Sequence, residues 1–94
     1  MKKNYKFISD PGHGWLEVPL VEIRSLMILH QISKYSYIAG RMAYLEEDCD
    51  AQKFVQACKK EGIEVTFTEV YQDPTPIRSY LPFDERGIPY GRGY

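Results

Sequence analysis

The stretch DCDAQKFVQACKKEGIEVTF, residues 48–67, decides the fold because it joins a clear helix signal directly to a strand signal. Acidic residues open the helix signal, lysines close it and a glycine follows, as is typical of helix ends. We therefore predict a helix over residues 50–60, capped by Asp48 or Asp50. Its apolar positions, Ala51, Phe54, Val55 and Cys58, have the spacing of one helix face. We expect Phe54, Val55 and Cys58 to be buried.

The chain after this helix predicts strands and then a tail. Apolar and polar residues alternate over residues 63–67, which is the pattern of a strand with one buried face. Glu69 breaks that alternation, so we expect the strand to bulge or end near it. Residues 77–81 predict an edge strand, and residues 84–94, which contain glycines, a proline and charges, predict a flexible tail.

Two β-hairpins and a first helix precede the helix–strand stretch. Turn residues separate short runs rich in aromatic and β-branched residues, which predicts these strand pairs: 5–9 with 15–18, and 34–38 with 42–47. Between the hairpins, Pro19 occupies a first helical position and begins a predicted helix over about residues 19–29. The apolar stripe of that helix comprises Leu20, Ile23 and Met27.

The summed order ββαββαβ predicts an α+β fold in a single small domain, residues 1–83. We expect an antiparallel sheet of four to five strands, with two helices on one face and tyrosines on the other. The formal net charge of −1 argues against general nucleic-acid binding, which needs a basic face. The sequence has neither a signal-peptide pattern nor an apolar run of membrane-span length, and its two cysteines, Cys49 and Cys58, are expected to be free thiols. These features predict a cytoplasmic protein without membrane association.

The stretch SDPGHGWLEVP, residues 9–19, offers the first candidate site. His13 could act as a general base or a metal ligand, with Asp10 orienting its ring, which would suit a small metal-dependent or general-base enzyme. The proline and glycines are equally what a tight turn requires, and His13 has no second ligand at a diagnostic spacing. We favour a structural turn, with Trp15 as a core anchor, and keep the enzyme as the alternative.

The acidic run EEDCD, residues 46–50, offers a second candidate. Closely spaced carboxylates could hold a divalent cation, but acids at a helix start also cap its free N–H groups. We favour the cap, and predict neither a metal site nor a reactive thiol at Cys49. The sequence also has no phosphate loop and no dinucleotide fingerprint, so no cofactor is predicted.

Tyrosines and arginines form the third candidate. A cationic aromatic surface could stack on a nucleotide-like ligand or form an interface with a protein, and its members would be Tyr35, Tyr37, Arg41, Tyr44, Arg78 and Tyr80, with His13 near them. The competing interpretation is that cross-strand aromatic pairs only stabilise the sheet. A homodimer is compatible with either interpretation.

The runs SDPGHGWLEVP, ISKYSYIAGRMAYLEEDCDA and IRSY together resemble a family of small bacterial proteins of phages, plasmids and genomic islands, for which no activity is established. The resemblance covers about residues 8–81. It implies an accessory protein of a mobile element that binds a host or defence-system component. We therefore expect a binding or inhibitor protein rather than an enzyme.

Overall fold

A computed structural model describes residues 1–88 and contains a six-stranded mixed sheet with two helices. The strands are β1 Lys2–Ser9, β2 Gly14–Pro19, β3 Tyr37–Ala39, β4 Met42–Glu46, β5 Glu64–Tyr71 and β6 Leu81–Pro82. The helices are α1 Leu20–Ser25 and α2 Asp50–Lys60, and 3-10 turns cover Leu29–Gln31, Pro76–Ser79 and Glu85–Gly87. The predicted α+β class is confirmed. No helix within residues 1–88 is long and apolar enough to cross a membrane.

The strand order across the sheet is β5-β1-β2-β4-β3-β6. Both predicted hairpins are present, as β1 with β2 and as β3 with β4, but β3 begins only at Tyr37 and the predicted strand residues 34–36 lie in the loop before it. The expectation of four to five strands, all antiparallel, is wrong, because β5 pairs in parallel with β1 from Lys2↔Glu64 to Ser9↔Tyr71. The physical reason is α2. This helix carries the chain from the end of β4 back to the side of the sheet where β4 begins, so β5 runs parallel to β4. Because β1 and β4 are both antiparallel to β2, β5 is also parallel to β1.

The first helix is shorter than predicted. It ends at Ser25, and Met27 then adopts a left-handed backbone with φ of 61°. This turn places the Met27 side chain 80% exposed, although the stripe pattern predicted it to be buried. The chain after it instead contributes Ile28 and Leu29 to the core.

Helix α2 matches its predicted bounds, whereas β5, the strand that follows it, extends beyond the predicted residues 63–67. Phe54 and Cys58 are buried as expected, but Val55 is only half-buried. Strand β5 continues past Glu69 without a break and ends at Tyr71. The polar residues in β5 are tolerated because it lies at an edge of the sheet, where pairing with β1 does not require burial of the side chains.

The two faces of the sheet carry different clusters of buried side chains. On the helical face, α1 and α2 pack against residues from the central strands, which include Tyr5, Leu16, Val18, Ala43 and Leu45. The opposite face carries a smaller aromatic cluster of Ile8, Trp15, Tyr44 and Ile77. Residues 77–81, predicted as a strand, form most of the 3-10 turn Pro76–Ser79 and then enter β6. The turn buries Ile77 against the opposite face, which explains why its backbone leaves the extended conformation.

Structure continues past residue 83. The 3-10 turn Glu85–Gly87 is capped by Asp84, whose carboxylate accepts a hydrogen bond from the Arg86 N–H. Ile88 is buried in the helical-face core. The rest of the predicted tail, residues 89–94, lies outside the described residues.

Candidate functional site

The β1–β2 turn is closed by the carboxylate of Asp10. Its Oδ1 accepts hydrogen bonds from the N–H groups of Gly12 at 2.9 Å and His13 at 2.8 Å. Gly14 ends the turn against the tip of the Phe7 ring, which would have to move for any larger residue, since a Cβ there would lie 2.5 Å from it. These contacts give the turn residues structural reasons to be present, as the turn interpretation requires.

Asp10 also forms an ion pair with Arg78, from the 3-10 turn on the opposite face. The guanidinium donates from Nε to Oδ2 at 2.7 Å and from an Nη to Oδ1 at 3.1 Å. The hydrogen bond from Arg78 and those from the turn amides hold the pKa of Asp10 well below its usual range. Within residues 1–88, the carboxylate of Asp10 is bonded to Arg78 and to the turn backbone, and it does not orient the His13 ring.

Trp15 lies under this ion pair and is nearly fully buried. The guanidinium carbon of Arg78 is 5.4 Å from the centre of the Trp15 ring, which is a cation–π contact. The rings of His13 and Tyr37 approach Trp15 with centroid distances of 6.0 Å and 6.5 Å. Trp15 is therefore a core anchor, as predicted, and also supports the groups around it.

A pocket of about 320 Å³ opens beside these side chains; we call it the aromatic pocket. Its lining residues are His13, Trp15, Tyr35, Tyr37, Glu46, Asp48, Cys49 and Arg78. The structure thus brings together four of the predicted site residues: His13, Tyr35, Tyr37 and Arg78. Tyr35 is the most prominent of its aromatic walls, with 64% of its surface exposed.

Three other predicted site residues lie outside the aromatic pocket. Tyr44 and Tyr80 contact each other beside it, with ring centroids 5.1 Å apart. Tyr44 is buried and donates its hydroxyl hydrogen bond to Glu17, so burial and this bond raise its pKa. Arg41 precedes β4, whereas Glu46 at the other end of that strand lines the pocket, a separation of roughly 16 Å along an extended strand.

The acidic run is organised differently from the predicted cap. Cys49 is the N-cap residue of α2 and its side chain makes no capping bond. Glu46 instead accepts hydrogen bonds from the N–H groups of Asp48 and Cys49, each at 2.9 Å. The cap prediction for Asp48 and Asp50 is therefore wrong, because the turn before α2 already binds a carboxylate from the end of β4.

Asp50 has a structural role inside the protein. Its fully buried carboxylate accepts hydrogen bonds from the Ser33 N–H at 3.0 Å and from the hydroxyl groups of Ser33 and Ser36, and it pairs with Lys53 at 3.0 Å. Burial alone would raise the pKa of Asp50, but the bonds from Ser36, Ser33 and Lys53 outweigh it and hold the pKa below its usual value. Asp50 thereby fixes the loop that carries Tyr35 to the rim of the pocket.

The charge balance of the aromatic pocket is acidic. Two carboxylates line it, those of Glu46 and Asp48, and the guanidinium of Arg78 is already paired with Asp10. The carboxylate of Asp48 is exposed and has no hydrogen bond or ion pair with any other residue of the described range 1–88. A cationic group entering the pocket would therefore meet a free acceptor.

Metal and thiol chemistry receive no support from the geometry. Among residues 1–88, no group of three or more His, Cys, Asp or Glu side chains is placed to hold a metal ion. Partial enclosure and a hydrogen bond to Glu46 raise the pKa of the Cys49 thiol, so the reactive thiolate is disfavoured.

Sequence reasoning missed half of the pocket lining: Trp15, Glu46, Asp48 and Cys49. Trp15 and Glu46 are directly paired in the β2–β4 register, a contact between strands distant in sequence. Alternation along each strand places both side chains on the same face once that register is known. The sequence does not show the β2–β4 register, so it could not place Glu46 beside Trp15. The acidic residues 46–50 were instead interpreted as caps of the helix that follows them.

No protein-family model matches this chain, and comparisons with curated proteins and with solved structures returned no match either.

Proposed function

We propose that this protein is a non-catalytic binding module whose aromatic pocket takes a basic side chain, arginine or lysine, from a partner protein. The observation that carries the proposal is the division of charge in the pocket. Arg78 forms a bidentate ion pair with Asp10, whereas the carboxylate of Asp48 has no partner within residues 1–88. The pocket therefore favours a cation over an anion.

The aromatic walls support the same ligand. A Lys or Arg head group is attracted to the faces of tyrosine rings, by about 0.5–1 kcal/mol at exposed sites and more when water is excluded. Tyr35 and Tyr37 supply those rings, and Glu46 and Asp48 supply carboxylates beside them. Exposed tyrosines of this kind are also common among the residues that dominate the energetics of protein interfaces.

A nucleotide-like ligand is less well supported than a protein partner. Its phosphates would need a cation free to bind them. The arginine in the pocket is already committed to Asp10, and the neighbouring carboxylates would repel a phosphate. The enzyme alternative is also weakened, because Asp10 is bonded to Arg78 and the turn amides rather than to the His13 ring.

In the setting implied by the sequence resemblance, the partner would be a host or defence-system protein. The protein would then act in the cytoplasm as an inhibitor that occupies a basic side chain on its target. A small domain suits this role, because binding needs only one rigid pocket and an exposed aromatic rim.

The test is an NMR titration of the ¹⁵N-labelled protein with three probes: blocked arginine amide, blocked lysine amide and AMP. We expect both amides to shift the signals of Trp15, Tyr35 and Asp48 with millimolar affinity, and AMP to leave them unchanged. Saturable binding of AMP at these residues without binding of the amides would replace the proposal with a nucleotide site. Absence of binding by all three probes would overturn it.

A matched pair of tyrosines provides the control. Tyr35 and Tyr71 are almost equally exposed, at 64% and 66%, but only Tyr35 lines the pocket. Tyr35→Ala should weaken binding of the arginine amide severalfold, as should Asp48→Asn, whereas Tyr71→Ala should not change it. Equal losses for the two tyrosine variants would show that the pocket is not the binding site.

A further inference from the structure

The two edges of the sheet are protected very differently. At one edge, β6 is only two residues long, includes Pro82 and is followed by residues that fold back into the core. At the other edge, β5 is eight residues long, has Glu64 and Glu69 as its charged residues, and contains neither proline nor lysine. Natural edge strands are usually short or carry such residues, because an unprotected edge pairs with another strand.

The hydrogen-bond pattern shows which groups of β5 remain available. The N–H of Glu64 donates to the Met1 carbonyl and that of Gln72 donates to the Ser9 carbonyl, both at 2.8 Å. Strand alternation means that the even-numbered residues of β5 face β1 and the odd-numbered ones point their N–H and C=O groups away from it. Within residues 1–88, β1 is the only strand paired with β5, so four residues present an unpaired edge: Val65, Phe67, Glu69 and Tyr71.

Apolar surface accompanies this open edge. Phe67 is 50% exposed and Tyr71 is also largely exposed. Phe67 borders an open groove of about 550 Å³ between β5 and α2, whose floor includes Phe7, Leu16 and Val55. Backbone groups without partners and exposed apolar side chains on one strand favour an extended protein strand as the occupant.

We propose that β5 pairs antiparallel with β5 of a second copy of this chain, across a two-fold axis at Thr68. In this register all four outward-facing residues find a partner, because Val65 lies opposite Tyr71 and Phe67 opposite Glu69. A strand that is complementary to itself in this way forms a closed dimer from a single surface.

The positions of the acidic residues agree with self-pairing. A two-fold axis perpendicular to the sheet pairs residues on the same face, so the two residue numbers of each pair add to an even number. In the Thr68 register Glu69 lies opposite Phe67 and Glu64 lies opposite Gln72, so no two carboxylates directly face each other. The same axis places the aromatic pockets of both copies on one face of the joined sheet, away from the interface.

Sedimentation velocity from low micromolar to near-millimolar protein tests the dimer. We expect the mass to double with increasing concentration. Glu69→Pro removes an outward N–H that the dimer needs but β1 does not, so this variant should stay monomeric and keep its fold by circular dichroism. Glu69→Ala keeps the N–H and should still dimerise. A wild-type monomer at every concentration, or a dimer unaffected by Glu69→Pro, would overturn the proposal.

Disulfide trapping tests the register, in a Cys49→Ser background that removes the exposed native thiol. Thr68→Cys places two cysteines directly opposite, about 4.5 Å apart between Cα atoms, and should form a cross-linked dimer on mild oxidation. Thr66→Cys is the control on the same strand face, with Cα atoms about 14 Å apart, and should not cross-link. Cross-linking of Thr66→Cys in preference to Thr68→Cys would overturn the Thr68 axis.

Discussion

The helical face of the sheet is built mainly from fully buried apolar side chains, among them Leu16, Leu45 and Phe54. The opposite face has a smaller cluster around Trp15, and its outer layer is held by the Asp10–Arg78 ion pair. Apolar burial stabilises a fold but removes the buried side chains from contact with a ligand. Hydrogen bonds and ion pairs instead hold charged and aromatic side chains in fixed positions at the surface. The difference indicates that one face supplies most of the apolar burial and that the other carries the candidate site.

The strongest test of this division is Phe54→Ala on the helical face. Phe54 is completely buried and contacts Tyr5 edge-to-face with ring centroids 5.2 Å apart. Its truncation should cost about 4–5 kcal/mol, which is a large fraction of the about 5–15 kcal/mol that stabilises a natural domain. Urea denaturation followed by circular dichroism measures the loss. Val55→Ala, on the same helix but only half-buried, is the control and should cost clearly less.

Trp15→Ala makes the corresponding change on the opposite face. We expect a smaller cost of about 3 kcal/mol, because the space left beside the open pocket can fill with water. The variant should also release Arg78 from its cation–π contact and abolish binding of the arginine amide. A cost equal to or above that of Phe54→Ala would contradict the division between the two faces.

Asp50→Asn removes one charge from the buried site that ties α2 to the Tyr35 loop. The amide keeps only one acceptor oxygen. If that oxygen faces Ser33 and Ser36, its NH2 group faces the Lys53 ammonium, donor against donor, so we expect a loss of about 1–3 kcal/mol. Asp48→Asn is the matched control two residues earlier, with an expected change within about 0.5 kcal/mol. Equal thermal stability of the two variants would show that Asp50 has no special structural role.

Low pH should decrease the free energy of unfolding through protonation of Asp10 and Asp50. Their hydrogen bonds to Arg78, Ser36 and Ser33 hold both folded-state pKa values below the usual 3.8. The carboxylates therefore stabilise the fold above about pH 3.8, and this contribution is lost as the pH falls through the lowered pKa values. The urea midpoint should decrease from pH 5 to pH 2, and Asp50→Asn should reduce the size of that decrease. A midpoint independent of pH would contradict the assignment.

His13→Ala is expected to have the smallest effect. His13 is exposed, and its backbone rather than its ring closes the turn with Asp10. The melting temperature should correspond to a change within about 0.5 kcal/mol, and the arginine amide should still bind. If the variant folds normally but loses binding, the imidazole itself contacts the ligand.

Elements with a strong local pattern were predictable from the sequence. The helix at residues 50–60 was found at its predicted bounds because its apolar spacing agrees with the lysines of its last turn and the glycine after it, although the predicted acidic caps do not form. The hairpins were found because Gly40 and the turn at residues 10–13 supply the backbone conformations that a reversal needs. Met27 was misplaced because the helical stripe continues through it in sequence, whereas the chain turns there.

Contacts between distant segments were not predictable. The parallel pairing of β5 with β1 joins residues 2–9 to residues 64–71, and nothing local in either strand specifies that partner or its direction. The aromatic pocket likewise draws on four separate segments, from the first hairpin, the Tyr35 loop, the end of β4 and the turn with Arg78. His13, Tyr35, Tyr37 and Arg78 were chosen by residue type, while Glu46 and Asp48 required the strand register.

The sequence by itself determined the α+β class, the two hairpins and the helix at residues 50–60, because periodicity and turn chemistry act over a few neighbouring residues. Only the tertiary structure decided that Arg78 pairs with Asp10 while Asp48 remains without a partner in the described range. Whether a charge is neutralised depends on groups brought together across the fold, and side chains of the same type have opposite roles according to what lies within about 4 Å of them.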